Sequence, residues 1–208
     1  MNSVDFSLYL IADVGQIKED MPSSVKMAID GGVKAIQLRG KNLSAKELLK
    51  IGERLRHLTH IESVKLFIND RIDVAMAIQS DGVHLGQNSM PVRQARKISG
   101  DRLIIGVSTH GLREAMDAEE GGADFITVGP IFETESKLRY GSAVGLITLA
   151  DVCRKVKIPV FAIGGISIER VNSVMKEGAH GVAVISAILK AESVYDAAVN
   201  MLDELRCS

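Results

Sequence analysis

Two cations and an amide alternate in the segment Gln37-Leu38-Arg39-Gly40-Lys41, and a third cation, Lys137, stands far along the chain beside Thr134 and Ser136. Side chains two apart on an extended segment share a face, so Arg39 and Lys41 point the same way if the strand continues through them. Joined by Lys137 they would form a cationic clamp for a diphosphate, with the two hydroxyls as further donors. Any one of these charges alone reads as a solvated surface group, and only their convergence from separate segments gives the set meaning. Asn69-Asp70 adds a carboxylate that could ligate Mg2+, an ion that takes one or two carboxylates together with phosphate oxygens and water. An aspartate after a strand also serves as an ordinary helix cap. Gly164-Gly165-Ile166-Ser167 and Ile185-Ser186 offer backbone N–H groups that can approach an anion as two halves of a phosphate cradle. The competing reading is that the glycines only make a tight turn. Among the histidines, His110 beside Ser108 is placed for proton transfer near neutral pH. His84 lies within an apolar run and reads as a satisfied interior residue, while His57 and His60 read as surface groups.

These residues need elements to bring them together. Eight short apolar runs recur along the chain, at 8–13, 35–39, 65–70, 82–86, 103–108, 125–130, 159–165 and 181–186. Their nearly continuous hydrophobicity is that of parallel strands covered on both faces. Between them lie helical patterns such as 44–58, 111–122 and 167–178, with apolar residues at three- and four-residue spacing. Ser44 with Glu47 reads as a capping box, Ser167 with Glu169 as a first turn, and Gly121-Gly122 and Gly178 as helix stops. GGVKAIQL, GGADFITV and EGAHGVAV repeat the passage from helix to strand. Eight such units with right-handed crossovers close most simply into a (β/α)8 TIM barrel, an α/β fold. An open doubly wound sheet is the competing fold, but no phosphate-binding glycine turn follows the first strand. In a barrel the polar groups named above, apart from His57, His60 and His84, fall at strand C-terminal ends, where such folds carry their chemistry.

The 208 residues suit one domain, expected to span 1–208. With 46% hydrophobic and 25% charged residues the composition is that of a globular protein. A formal net charge of -1 and the lack of a long basic run argue against a nucleic-acid partner. No apolar stretch approaches the roughly 18 residues of a membrane span, and no leader pattern opens the chain. Cys153 and Cys207 form no paired motif, so a reducing, cytoplasmic setting is expected. Small molecules are the expected partners. Oligomeric state is left open, with a homo-oligomer among the outcomes.

Almost the whole length resembles the thiamine phosphate synthase family. QLRGK, INDRIDVA, DGVHLGQ, GVSTH, GADFITVGPIFETESK, AIGGI and GVAVISAI carry the resemblance, in order, on successive strand ends. It implies a (β/α)8 barrel and a Mg2+-dependent transfer that joins hydroxymethylpyrimidine diphosphate to thiazole phosphate, giving thiamine phosphate and diphosphate. It also implies that Gln37, Arg39, Lys41, Asn69 and Lys137 hold the pyrimidine diphosphate, with Arg39, Lys41 and Lys137 as the catalytic cations and Ser108 near the pyrimidine. Thr134, Ser136, Gly164, Gly165, Ile185 and Ser186 would hold the thiazole phosphate, and Asp70 the metal. One departure stands out: Ser89 occupies the place of the family's second metal-binding aspartate, so weaker metal binding is expected unless water, Glu133 or Glu135 substitutes. Gly40 for an acidic residue and Glu133 for a proline are smaller changes. The related thiazole tautomerases, which share the barrel and the segment resembling Phe132-Glu133-Thr134, are the alternative, and a non-catalytic precursor-binding paralogue is a third. The retained diphosphate residues favour the synthase, since an isomerase has no use for them.

Overall fold

The computed structural model describes residues 4–16, 20–133 and 142–208. Eight strands among them pair in parallel, each with the next in sequence and the last with the first, into a closed barrel. They are β1 (Leu8–Asp13), β2 (Ala35–Arg39), β3 (Lys65–Asn69), β4 (Gly82–Leu85), β5 (Ile104–Thr109), β6 (Phe125–Val128), β7 (Val160–Ile163) and β8 (Gly181–Val184). Helices α1 (Met21–Asp30), α2 (Ala45–Ile61), α3 (Ile72–Ala77), α4 (Val92–Ser99), α5 (Leu112–Gly121), α6 (Gly145–Lys155), α7 (Ile168–Lys176), α8 (Ser186–Leu189) and α9 (Val194–Cys207) follow in chain order. Carried once around the barrel, the register returns to β1 about eight residues from where it began, the stagger of an eight-stranded parallel barrel.

Both faces of every strand are buried, which is why the strands read as apolar runs. Leu8, Leu10, Leu38, Leu66, Ile68 and Ile105 point outward into the packing with the helices. The inward set is different in kind. Phe6, Tyr9, Phe67, Phe125 and Phe161 form one aromatic cluster with ring centroids 5.2–6.2 Å apart. Room for so many rings comes from glycine: a Cβ on Gly106 would lie 2.3 Å from the Phe125 ring and 2.6 Å from His84 Nδ1.

Several expected ends are observed. Ser44 and Glu47 form the capping box of α2, which runs on to Ile61. Gly122 ends α5 in the left-handed conformation, and Gly178 follows α7 with φ of 90°. Ser167 starts α7 but makes no side-chain bond to its first-turn backbone. Several strands end before their apolar runs do, by one residue in β3 and β4 and by two at the C-terminal ends of β6, β7 and β8. β6 stops at Val128 because Pro130 has no N–H for the ladder, and β7 stops at Ile163 because Gly164 and Gly165 take positive φ.

The repeated passage from helix to strand has a physical counterpart. Asp81, just before β4, accepts the Leu66 N–H at 2.8 Å and Arg56 Nη1 at 2.7 Å. Asp124, just before β6, accepts the Ile105 N–H at 2.6 Å and Arg96 Nη2 at 2.5 Å. In each case an aspartate at the bottom of the barrel accepts the second amide of the preceding strand and, on the same oxygen, a helix arginine. Asp124→Ala should therefore lower unfolding free energy by about 1–3 kcal/mol, because it strands the Ile105 N–H and the Arg96 charge. Asp151→Ala, which removes only an exposed pair with Arg154, should cost no more than ~0.5 kcal/mol. Urea denaturation of both variants measures the difference, and equal shifts would deny the tie its role.

Candidate active site

The two-residue period of the strands lifts a polar layer above the aromatic floor. Gln37 lies one turn of the pleat below Arg39 on β2 and is 1% exposed. Its Nε2 donates to the Tyr9 hydroxyl at 3.0 Å. That hydroxyl lies 3.5 Å from His84 Nδ1, and His84 Nε2 lies 3.0 Å from Ser108 Oγ. Thr127 Oγ1 donates to the same serine oxygen at 3.5 Å. The chain thus crosses the barrel from β2 through β1 and β4 to β5 and β6. Burial pulls the His84 pKa down to about 4, opposed by Asp70 and reinforced by the Arg39 charge. Burial likewise raises the Tyr9 phenol well above its ordinary value, against the Gln37 bond. Both side chains are therefore neutral hydrogen-bonding groups near pH 7. His84 is the satisfied interior histidine that its apolar run suggests.

Above this layer sits the rim. Arg39 Nη1 donates to Asp13 Oδ2, and the other oxygen of Asp13 accepts the Gly15 N–H at 3.0 Å. Asp13 was not legible as a site residue, although its place at the end of β1, level with Arg39 in the register, is the signal that would have marked it. β2 ends at Arg39, and Leu43 N–H donates to Gly40 O in the turn that follows, so Lys41 lies beyond the strand, at an exposed position. The expectation of a shared strand face for Arg39 and Lys41 is therefore not met.

Asp70 closes β3 with φ of 60°, a left-handed conformation uncommon for a residue other than glycine. It is held there on every side. Its N–H donates to His84 O at 2.9 Å, and Asn69 Nδ2 donates to Oδ2 at 2.6 Å. Oδ1 accepts the Gly86 N–H at 3.2 Å and also the Ser89 hydroxyl, which itself accepts Gly86 N–H at 2.7 Å. Asn69, Asp70 and Ser89 are thus one cluster. Among the described residues no group of three or more His, Cys, Asp or Glu side chains is arranged to hold a metal, and within this cluster the one carboxylate is that of Asp70.

On the opposite side of the mouth, Gly164 and Gly165 turn the chain after β7 with φ of 96° and 67°. A Cβ on Gly164 would lie 2.6 Å from Pro130, and one on Gly165 2.8 Å from Phe132. Glycine is required on both counts. Arg170 donates to Gly165 O at 2.7 Å and lies 4.6 Å over the Phe132 ring. Ile185 and Ser186 follow the neighbouring β8, so the two candidate cradle halves end adjacent strands. Thr134, Glu135, Ser136 and Lys137 lie outside the described residues.

His110 sits apart, at the edge of a cleft of about 500 Å3 between α4 and α5 that Ser108 also lines. Its ring Nδ1 lies 3.0 Å from Gln87 Nε2 and 3.2 Å from Glu114. Burial would raise the Glu114 pKa, but the His110 N–H and ring together with Gln87 hold it below its ordinary value. Among the described residues no helix is long and apolar enough to cross a membrane.

The family profile described as thiamine monophosphate synthase matches residues 8–188. A thiamine-phosphate synthase of Clostridium acetobutylicum is 44% identical over 204 residues, covering 98% of this chain and 96% of that protein. A putative thiamine-phosphate synthase of Geobacter sulfurreducens is 47% identical over 190 residues, covering 91% and 89%. The solved structure of a thiamine phosphate pyrophosphorylase from Pyrococcus furiosus superposes with a TM-score of 0.88 at 40% identity, over 96% of this chain and 95% of that one.

The backbone at Asp70 gives a direct check of this geometry. Asp70→Ala and Asp70→Gly both lose the carboxylate, but only glycine takes positive φ freely. The glycine variant should be the more stable of the two by about 1 kcal/mol in chemical denaturation; an alanine variant of higher stability would contradict the left-handed turn.

Proposed function

The chain belongs to the thiamine monophosphate synthase family, and from that membership we propose that it condenses hydroxymethylpyrimidine diphosphate with thiazole phosphate, releasing diphosphate and giving thiamine phosphate. One observation carries the reading: a buried amide and a half-buried hydroxyl, Gln37 and Ser108, lie beneath a rim that holds Arg39 and the Asn69, Asp70 and Ser89 cluster. A flat heterocycle with a charged tail suits such a mouth. The synthase names of the relatives support this over the tautomerase and precursor-binding alternatives.

Reaction requires the bond between the pyrimidine methylene carbon and the diphosphate oxygen to break. The aminopyrimidine donates electron density to the methylene carbon as the leaving group departs, and the thiazole nitrogen then attacks that carbon. Arg39 and Lys41, with Lys137, neutralise the charge that gathers on the departing oxygens. Gln37 and Ser108 orient the ring, and Asn69 holds the diphosphate beside Asp70. Gly164, Gly165, Ile185 and Ser186, with Thr134 and Ser136, seat the thiazole phosphate so that its nitrogen faces the same carbon. No strong base is needed, in keeping with the neutral state of His84.

The donor set suits Mg2+, which keeps several waters and takes few protein ligands when a substrate supplies phosphate oxygens. Asp70 and the adjoining Ser89 hydroxyl would hold it. When bound it supplies further positive charge to the leaving diphosphate. Mixing the protein with both precursors and Mg2+ should yield thiamine phosphate and diphosphate together, and chelator should abolish both. Isomerisation of a thiazole carboxylate phosphate without condensation would establish the tautomerase instead. Ser89→Asp should lower the half-saturating Mg2+ concentration about tenfold by adding a second negative ligand. An unchanged Mg2+ dependence would remove Ser89 from the metal site.

A further inference from the structure

The polar chain inside the barrel has a direction. Gln37 donates through Nε2 to Tyr9, so the phenolic oxygen is already an acceptor and its own proton is free to be given. His84 Nδ1 is the acceptor within reach. A neutral imidazole that accepts at Nδ1 carries its proton on Nε2, and Nε2 faces Ser108 Oγ at 3.0 Å. Thr127 Oγ1 also donates to that oxygen. With two donors already on its oxygen, the Ser108 hydroxyl has its own proton left to give elsewhere. At the other end of the chain, Gln37 has its amide nitrogen committed to Tyr9 and its carboxamide oxygen left to accept.

We propose that His84 is a positioning residue for the pyrimidine substrate: its imidazole, accepting from Tyr9 and donating to Ser108, fixes Ser108 as a donor and Gln37 as an acceptor at the barrel mouth. An aminopyrimidine edge, with an acceptor ring nitrogen beside a donor amino group, requires that pair. Without His84 the serine hydroxyl can turn its proton inward and its lone pairs outward, so that it meets a ring nitrogen with the wrong polarity. His84 is 3% exposed and acts through Ser108, the neighbour its Nε2 faces. The inference rests on the aminopyrimidine reading of the site.

Two measurements test it. Nitrogen-15 NMR of histidine-labelled free protein reports the His84 tautomer without any substrate; a proton on Nε2 is expected, and one on Nδ1 or on both nitrogens overturns the proposal. Calorimetry then gives the affinity of each precursor separately. His84→Leu should weaken binding of hydroxymethylpyrimidine diphosphate about tenfold and leave thiazole phosphate within about twofold. His84→Gln, which restores a side-chain N–H toward Ser108, should recover most of the loss. In a cycle with Ser108→Ala the double variant should bind the pyrimidine diphosphate no worse than either single one. Equal weakening of both precursors, no rescue by glutamine, or additive losses would each overturn the role assigned to His84. Turnover by the unaltered protein is a separate readout: absence of thiamine phosphate there would sink the functional reading, while the tautomer and the cycle would still decide the role of His84.

Discussion

Closure of eight parallel strands leaves an interior that only side chains can fill, and the two-residue period of each strand decides which ones. Every inward position is spent either on filling the barrel or on lining its mouth. Here the division is sharp. Phe6, Tyr9, Phe67, Phe125 and Phe161 fill the lower barrel, and the next inward positions are Gln37, His84, Ser108 and Thr127. The aromatic floor excludes water from beneath the polar layer, which keeps His84 and Tyr9 neutral and gives their hydrogen bonds more weight than they would have at a surface. Tyr9 belongs to both layers, with its ring in the floor and its hydroxyl in the chain above.

That division explains what the sequence made legible. Strands buried on both faces are conspicuous as apolar runs, so the order of elements and the barrel itself follow from them. Strand ends are harder. Pro130 and Gly164 lie in runs as hydrophobic as the strands, and only the missing N–H of one and the positive φ of the other mark the stops. The polar residues at strand ends were legible by position, but their partners were not. Asp13 is a single acidic residue at the end of an apolar run, and nothing local shows that it faces Arg39 from the neighbouring strand. The pairing of Asp70 with Ser89 joins two loops 19 residues apart, and the route from Gln37 to Ser108 passes through four strands. Contacts of this kind are set by barrel stagger, which no local pattern encodes.

At the rim, the Asp13 contact bears on how Arg39 can act. A long cationic side chain loses about 2 kcal/mol of rotamer freedom when it is fixed on a ligand. Asp13, itself held by the Gly15 N–H, imposes that order on Arg39 beforehand. A guanidinium has five N–H donors in a fixed fork, so one bond to Asp13 leaves others for phosphate oxygens. On the proposed function, the carboxylate would reduce the net charge offered to a diphosphate and in exchange present the remaining donors in place.

Ser89 makes a comparable exchange on the other side of the mouth. Two carboxylates facing each other repel, and in the absence of a cation one of them is driven toward protonation. A hydroxyl in the same place donates to Asp70 instead, so the carboxylate is satisfied by Asn69, Gly86 and Ser89 with no ion present. The left-handed turn at Asp70 is thereby held by hydrogen bonds among protein groups. What is given up is charge: on the proposed function, a cation at this cluster would meet one carboxylate already engaged by three donors, and phosphate oxygens of the substrate would supply much of its attraction. The exchange of a carboxylate for a hydroxyl at position 89 thus trades charge for a cluster whose hydrogen bonds are complete among protein groups.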